Sequence, residues 1–169
     1  MREYFTVTTT ERVYVHKQIS EIRSTLELQT GDTHIHQLGG SYGTIRRWIQ
    51  KNHIVGYEVH HIPSKAVVRN WGTMYILPAI ALLEEDHAKT DSYRFKSLKK
   101  YKSFLPDVVE ESSYIEDAKE RISAEQLFEL VKIELWNIRD QCGHRYDGAI
   151  QQYLDALEEY VNTHGLPHP

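Results

Sequence analysis

One cysteine, Cys142, stands in 169 residues, so no internal disulfide can form and a four-cysteine zinc site is excluded. A lone thiol suits a reduced compartment. No apolar run approaches the roughly 20 residues of a membrane span. The start, Met1-Arg2-Glu3-Tyr4, lacks the apolar stretch of a signal peptide. A cytoplasmic location without a membrane partner is therefore expected, and export would need a carrier or a fused partner. Excess positive charge is also missing: the net charge is −4, whereas nucleic-acid modules are usually basic. Local clusters matter more than that sum, because screening at cellular salt limits a charge's reach to about 8 Å. No internal repeat, low-complexity tract or linker interrupts the chain, so a single domain over residues 1–169 is expected, large enough to bury a core.

The pattern along the chain predicts an α+β fold. Tyr4 to Thr8 and Arg12 to His16 are rich in β-branched and aromatic residues and read as a hairpin. Ile19, Ile22 and Leu26 recur at helical spacing, predicting a helix from about Lys17 to Gln29. Gly39, Gly40 and Gly43 match no phosphate-binding fingerprint and read as a plain turn. Thr44 to Asn52 reads as a short helix carrying Arg46, Arg47 and Lys51, and Tyr57 to His61 as a strand closed by Pro63. Ser64 to Asn70 reads as a helical turn, Tyr75 to Leu77 as a second strand, and Pro78 to His87 as a helix with proline at its first position. Beyond residue 93 the chain reads as helical. A basic run from Arg94 to Lys102 either tracks a phosphate backbone or is a solvated face. Ser123-Ala124-Glu125-Gln126 is a capping box opening a helix stopped at Gly143, and a last helix runs from Tyr146 to about Asn162. Two amphipathic helices joined by a short loop predict an antiparallel pair, followed by a disordered tail at Leu166 to Pro169.

Ten histidines are many for this length. The pair His60-His61 ends an alternating strand, and His87 sits among acids in Glu85-Asp86-His87-Ala88-Lys89-Thr90. A neutral imidazole is a good metal ligand and titrates near neutral pH, so this grouping fits a divalent metal with a general base beside it. Side chains alternate along a strand, so Glu58 and His60 share a face and His61 turns away unless the strand ends between them. A helix crossing the strand end would bring His87 beside His60, with His61 activating water for in-line attack. Arg46, Arg47, Lys65 and Arg69 flank these histidines and would hold a phosphate near the metal. His34 and His36 read as a solvated loop, His53 as structural, and the tyrosines of the last two helices as core.

The segment His60-His61-Ile62-Pro63 resembles the start of the ββα-metal unit of the HNH/endonuclease VII superfamily. Asp86-His87-Ala88-Lys89-Thr90 is similar to the end of that unit, although Pro78 stands where the family has asparagine, nine positions before the metal-binding histidine. The set Glu58, His60, His61 and His87 resembles the EHHH branch, known mainly as bacterial toxin domains. Gly39 to Gly43, Pro78-Ala79-Ile80 and the stretch from Ile138 to Asp147 share the likeness, which spans roughly residues 38 to 160. It implies a small ββα-metal unit over about 54–92 and a helical part over 93–163. It also implies His60 and His87 as metal ligands and His61 as the base. Glu58 would be a third ligand or the carboxylate that orients a histidine, and Asn70 or Glu58 would stand in for the asparagine.

The expected function is a metal-dependent endonuclease of toxin or defence type, using Mg²⁺ or another divalent cation such as Mn²⁺ or Zn²⁺ on nucleic acid, DNA before RNA, with a small immunity protein as partner. The rival readings are a catalytically decayed binding module on the same scaffold and a hydrolase of small phosphoesters.

Overall fold

The structure is a computed structural model that describes residues 7–29, 38–63, 75–90 and 124–166, with the side chains of 124–126 left out. Lys65, Arg69, Asn70, His34, His36, the turn at 64–70, the basic run 94–102, Ser123 of the capping box and the tail's last three residues lie outside the described part. The fold is α+β. Helix α1 (Thr9–Leu26) is followed by strand β1 (Gly39–Ser41), helix α2 (Tyr42–Lys51) and strands β2 (Tyr57–His61) and β3 (Pro78–Leu83). A one-turn helix α3 (Glu84–His87) and two long helices, α4 (Ala124–Cys142) and α5 (Asp147–His164), complete it.

The expected second strand of the opening hairpin, Arg12 to His16, lies inside α1, because two signals outweigh local β propensity; Tyr4 to Thr6 of the first lie outside the described residues. Thr8 and Glu11 form a reciprocal capping box, with Glu11 N–H donating to Thr8 Oγ1 and Thr8 N–H to Glu11 Oε2. Behind it Val15, Ile19, Ile22 and Leu26 fall on one buried stripe. Val13, one of the residues that suggested a strand, is left exposed.

The three strands are antiparallel in the order β1-β3-β2. Pro78 to Leu83 is the central strand rather than the expected helix. Its run is buried on both faces, so it carries no alternation, and periodicity cannot separate such a strand from a buried helix. Pro78 opens the strand opposite Ser41, where its missing N–H costs no ladder bond inside the sheet. Tyr75 to Leu77, expected as a strand, is a turn whose carbonyls accept the N–H groups of Gly43 and Tyr42.

The sheet has two covered faces. Ala79 and Ala81 meet Ile45 of α2, with Val59, Tyr57 and Ile49 packed around them. On the other face Ile80 and Leu82 join the main core with residues of α1, α4 and α5. Both α4 and α5 begin and end close to the expected places, because their apolar stripes and Gly143 mark them plainly. Burial of each such Leu or Ile contributes about 1.5–3 kcal/mol. Among the described residues no helix is long and apolar enough to cross a membrane.

Candidate metal centre

The two sheet faces sort the candidate residues. His60 lies opposite Ile80 and Glu58 opposite Leu82, so both project to the face of the main core. There α3, which continues directly from β3, brings His87 to them. The His60 and His87 rings lie 4.7 Å apart between centroids, tilted by 48°. Glu58 Oε2 accepts a short hydrogen bond from His87 Nδ1. Glu58 is 41 % exposed and the His87 side chain 13 %, so the carboxylate faces solvent while the imidazole is sheltered behind it. A carboxylate on Nδ1 fixes the His87 tautomer and leaves the lone pair on Nε2, the donor a metal uses.

Protein atoms enclose the His60 imidazole although part of the residue reaches solvent. Desolvation first, then the charges of His87 and His61, hold its pKa down to about 3. It is therefore neutral at pH 7, the form that binds metal. An imidazole nitrogen sits about 2.0–2.1 Å from a bound zinc, so two rings sharing one ion have centroids about 4.5 Å apart at a right angle and about 5.2 Å at the tetrahedral angle. The observed 4.7 Å lies between those values, in a range that ordinary ring contacts share. Among the described residues no three His, Cys, Asp or Glu side chains are grouped to hold an ion together.

His61 lies opposite Ala79 and faces α2 instead. It is 3 % exposed and stacks on the Tyr42 ring at 4.4 Å and 9°. Tyr42 in turn meets Tyr75 edge-on and carries Arg46, whose Nη1 donates to the Tyr42 hydroxyl at 3.1 Å. The structure thus joins Glu58, His60 and His87, and places His61 on the opposite face of the sheet. Arg46 and Arg47 are exposed on α2 and lie on the His61 side, not beside the His60–His87 pair.

Two polar clusters join residues that spacing along the chain does not bring together. Asp86, 1 % exposed, accepts hydrogen bonds from Tyr146, Arg145 and Lys89. Burial pushes its carboxyl up, but those three bonds and the Arg145 charge outweigh it and hold the pKa below the usual value. Burial, and then the same bond to Asp86, raise the Tyr146 phenol. Nearby, Asp147 accepts the Gln29 N–H at 2.8 Å and bonds His144 Nδ1 at 2.6 Å, tying the α4–α5 turn to the end of α1. The available signal was a polar run, His144-Arg145-Tyr146-Asp147, between two apolar stripes. A groove of about 610 Å³ between β1 and α5, lined in part by Gly40, Gln152, Asp155 and Glu159, includes none of His60, His61 or His87.

Comparison of the chain with family models, with curated proteins and with solved structures finds no match in any of the three. The HNH likeness therefore rests on the residues themselves.

Proposed function

We propose that the chain is a metal-dependent endonuclease of the HNH type, cutting phosphodiester bonds in nucleic acid, DNA before RNA. The observation that carries this reading is the His60–His87 pair at one ion's spacing, with Glu58 on His87, at the junction of β3 and α3. The order β2, β3, α3 also has the strand–strand–helix sequence that the likeness implies.

In this reading His60 and His87 hold the ion and Glu58 orients His87. Two imidazoles suit Zn²⁺ better than Mg²⁺, which prefers an all-oxygen shell. A divalent ion bound there would stabilise charge on the phosphate and on the leaving oxygen. His61 is the proton acceptor by the same likeness. Its burial under Tyr42 means that the Tyr42 ring must swing aside before water reaches the imidazole. Arg46, on that side of the sheet, would meet the phosphate backbone there. The toxin or defence setting, and an immunity protein as partner, follow from the likeness alone.

A second reading, a decayed binding module on the same scaffold, is favoured by the buried His61 and by the two-imidazole donor set. Supercoiled plasmid incubated with Mg²⁺, Mn²⁺, Zn²⁺ or EDTA separates the two. A nuclease nicks with at least one of these ions and stops in EDTA, and His87→Ala and His61→Ala each lower the rate by about 100-fold or more. Nicking that survives EDTA or His87→Ala rules the metal centre out, and no nicking with any ion leaves the binding module.

A further inference from the structure

The helix that presents His87 is a single turn, Glu84–His87, and its N-cap, Leu83, supplies no side-chain hydrogen bond. Helix nucleation is unfavourable, so one turn does not hold itself. Its position has to come from bonds to other elements: the Glu84 N–H donates to the Gly56 carbonyl at 2.9 Å at its start, and the side-chain bonds beyond that converge on Asp86, the residue before His87. The Tyr146 hydroxyl donates to Asp86 Oδ2 at 2.5 Å, Arg145 Nη1 to the same oxygen at 2.7 Å, and Lys89 Nζ to Oδ1 at 3.2 Å. The Tyr146 oxygen also accepts the Leu83 N–H at 3.1 Å. One phenol is thus bonded at both ends of the turn, to the residue that precedes it and to the residue beside His87. Thr90 Oγ1, donating to the His87 carbonyl at 2.7 Å, holds the exit.

We propose that Tyr146, supported by Arg145, is the positioning residue of the histidine centre, setting the reach of His87 to Glu58 and His60 from the turn between α4 and α5. This rests on the reading of His87 as a metal ligand in the proposed nuclease, and adds a control point from a distant part of the chain. The clamp is specific in its chemistry. Phenylalanine at 146 keeps the ring's packing but removes both bonds, leaving the Leu83 N–H and the buried Asp86 carboxylate each short of a partner.

The test reads the His87 ring proton directly. An imidazole N–H locked onto a carboxylate gives an exchange-protected proton resonance far downfield, assigned here by its absence in His87→Ala. Tyr146→Phe is expected to lose or strongly shift that resonance with an unchanged far-ultraviolet dichroism spectrum, and Arg145→Gln to shift it less. Tyr160→Phe, about 21 Å further along α5 by helical rise, is expected to leave it in place. In parallel, Co²⁺ affinity measured optically should fall about 10–100-fold in Tyr146→Phe and stay unchanged in Tyr160→Phe. Should Tyr146→Phe fail to fold, Arg145→Gln decides, because its guanidinium is half exposed and its loss leaves the packing intact. An unchanged resonance in the folded variants, or its absence from the wild type, overturns the proposal. A resonance lost in Tyr146→Phe from a wild type that neither binds Co²⁺ nor nicks plasmid upholds the clamp and sinks the nuclease reading instead.

Discussion

Acid should unfold this protein earlier than its carboxylates alone require, and His60 is the reason. Its folded pKa is about 3, against 6.5 for the ordinary imidazole, with desolvation the largest cause and the His87 and His61 charges next. A folded pKa lowered in this way means that the unfolded chain binds the proton more readily. Stability is therefore full above pH 6.5 and falls as the pH drops from there towards 3, where the contribution levels off. Each pH unit inside that window costs about 1.4 kcal/mol, so at pH 4.5 the loss is about 2–3 kcal/mol, a large part of a typical folding free energy. The assay is urea unfolding of the metal-free protein in EDTA at pH 7 and pH 4.5, for the wild type and His60→Gln. Glutamine removes the titration and leaves the other histidines common to both proteins. The wild type should lose about 2–3 kcal/mol more than the variant between the two pH values. Equal losses would show that the imidazole is solvated and free to take a proton, and the neutral donor that the proposed metal centre needs would go with it.

Two further perturbations test the frame that holds the site. Gly39→Ala should destabilise by about 3 kcal/mol or more, because a Cβ there would run into the Ala149 carbonyl and lie 2.7 Å from Tyr153 N and 2.9 Å from Gln152 Cβ, all on α5; a thermal midpoint within a degree or two of the wild type would contradict that contact. Tyr153→Phe removes the hydroxyl that donates to the Ile62 carbonyl at 2.6 Å, just past the two adjacent histidines. It should cost about 1–3 kcal/mol in urea unfolding, since both groups are buried, and an unchanged midpoint would count against the bond.

Local periodicity made the long elements legible and failed where burial or capping decided. Leu127 to Ile138 and Ile150 to Val161 recur at helical spacing with one apolar face, and Gly143 separates them, so α4 and α5 could be read directly. Tyr57 to His61 alternates, and β2 has those bounds. Pro78 to Leu83 is apolar throughout because it is central in the sheet, a place that only the pairing with β1 and β2 reveals. At the other end Tyr14 and Val15 look like strand residues, and the Thr8–Glu11 cap three residues apart was the signal that reverses that reading. The meeting of Glu58, His60 and His87 was legible from strand parity and a helix expected to follow. The expected helix was too long, yet His87 arrives by the same route, because α3 starts where β3 stops. What sequence could not show was the bond of Tyr146 to Asp86, which joins residues sixty positions apart.

Adjacent histidines on a strand also limit what one site can contain. His60 takes the face where α3 delivers a second imidazole and a carboxylate, and His61 takes the face where α2 delivers Tyr42 and Arg46. In the proposed nuclease, a ligand and a base that are neighbours in sequence would serve the same phosphate only at the strand's end, and β2 does end at His61, before the Ile62–Pro63 bond. His87→Ala and His61→Ala therefore report on two faces of the sheet. Metal affinity should fall with the first and be nearly untouched by the second, while nicking should need both. A protein in which only His87 mattered would place its water activation on the metal side, with Glu58 as the nearest carboxylate, and the His61–Tyr42 stack would then be part of the sheet's packing.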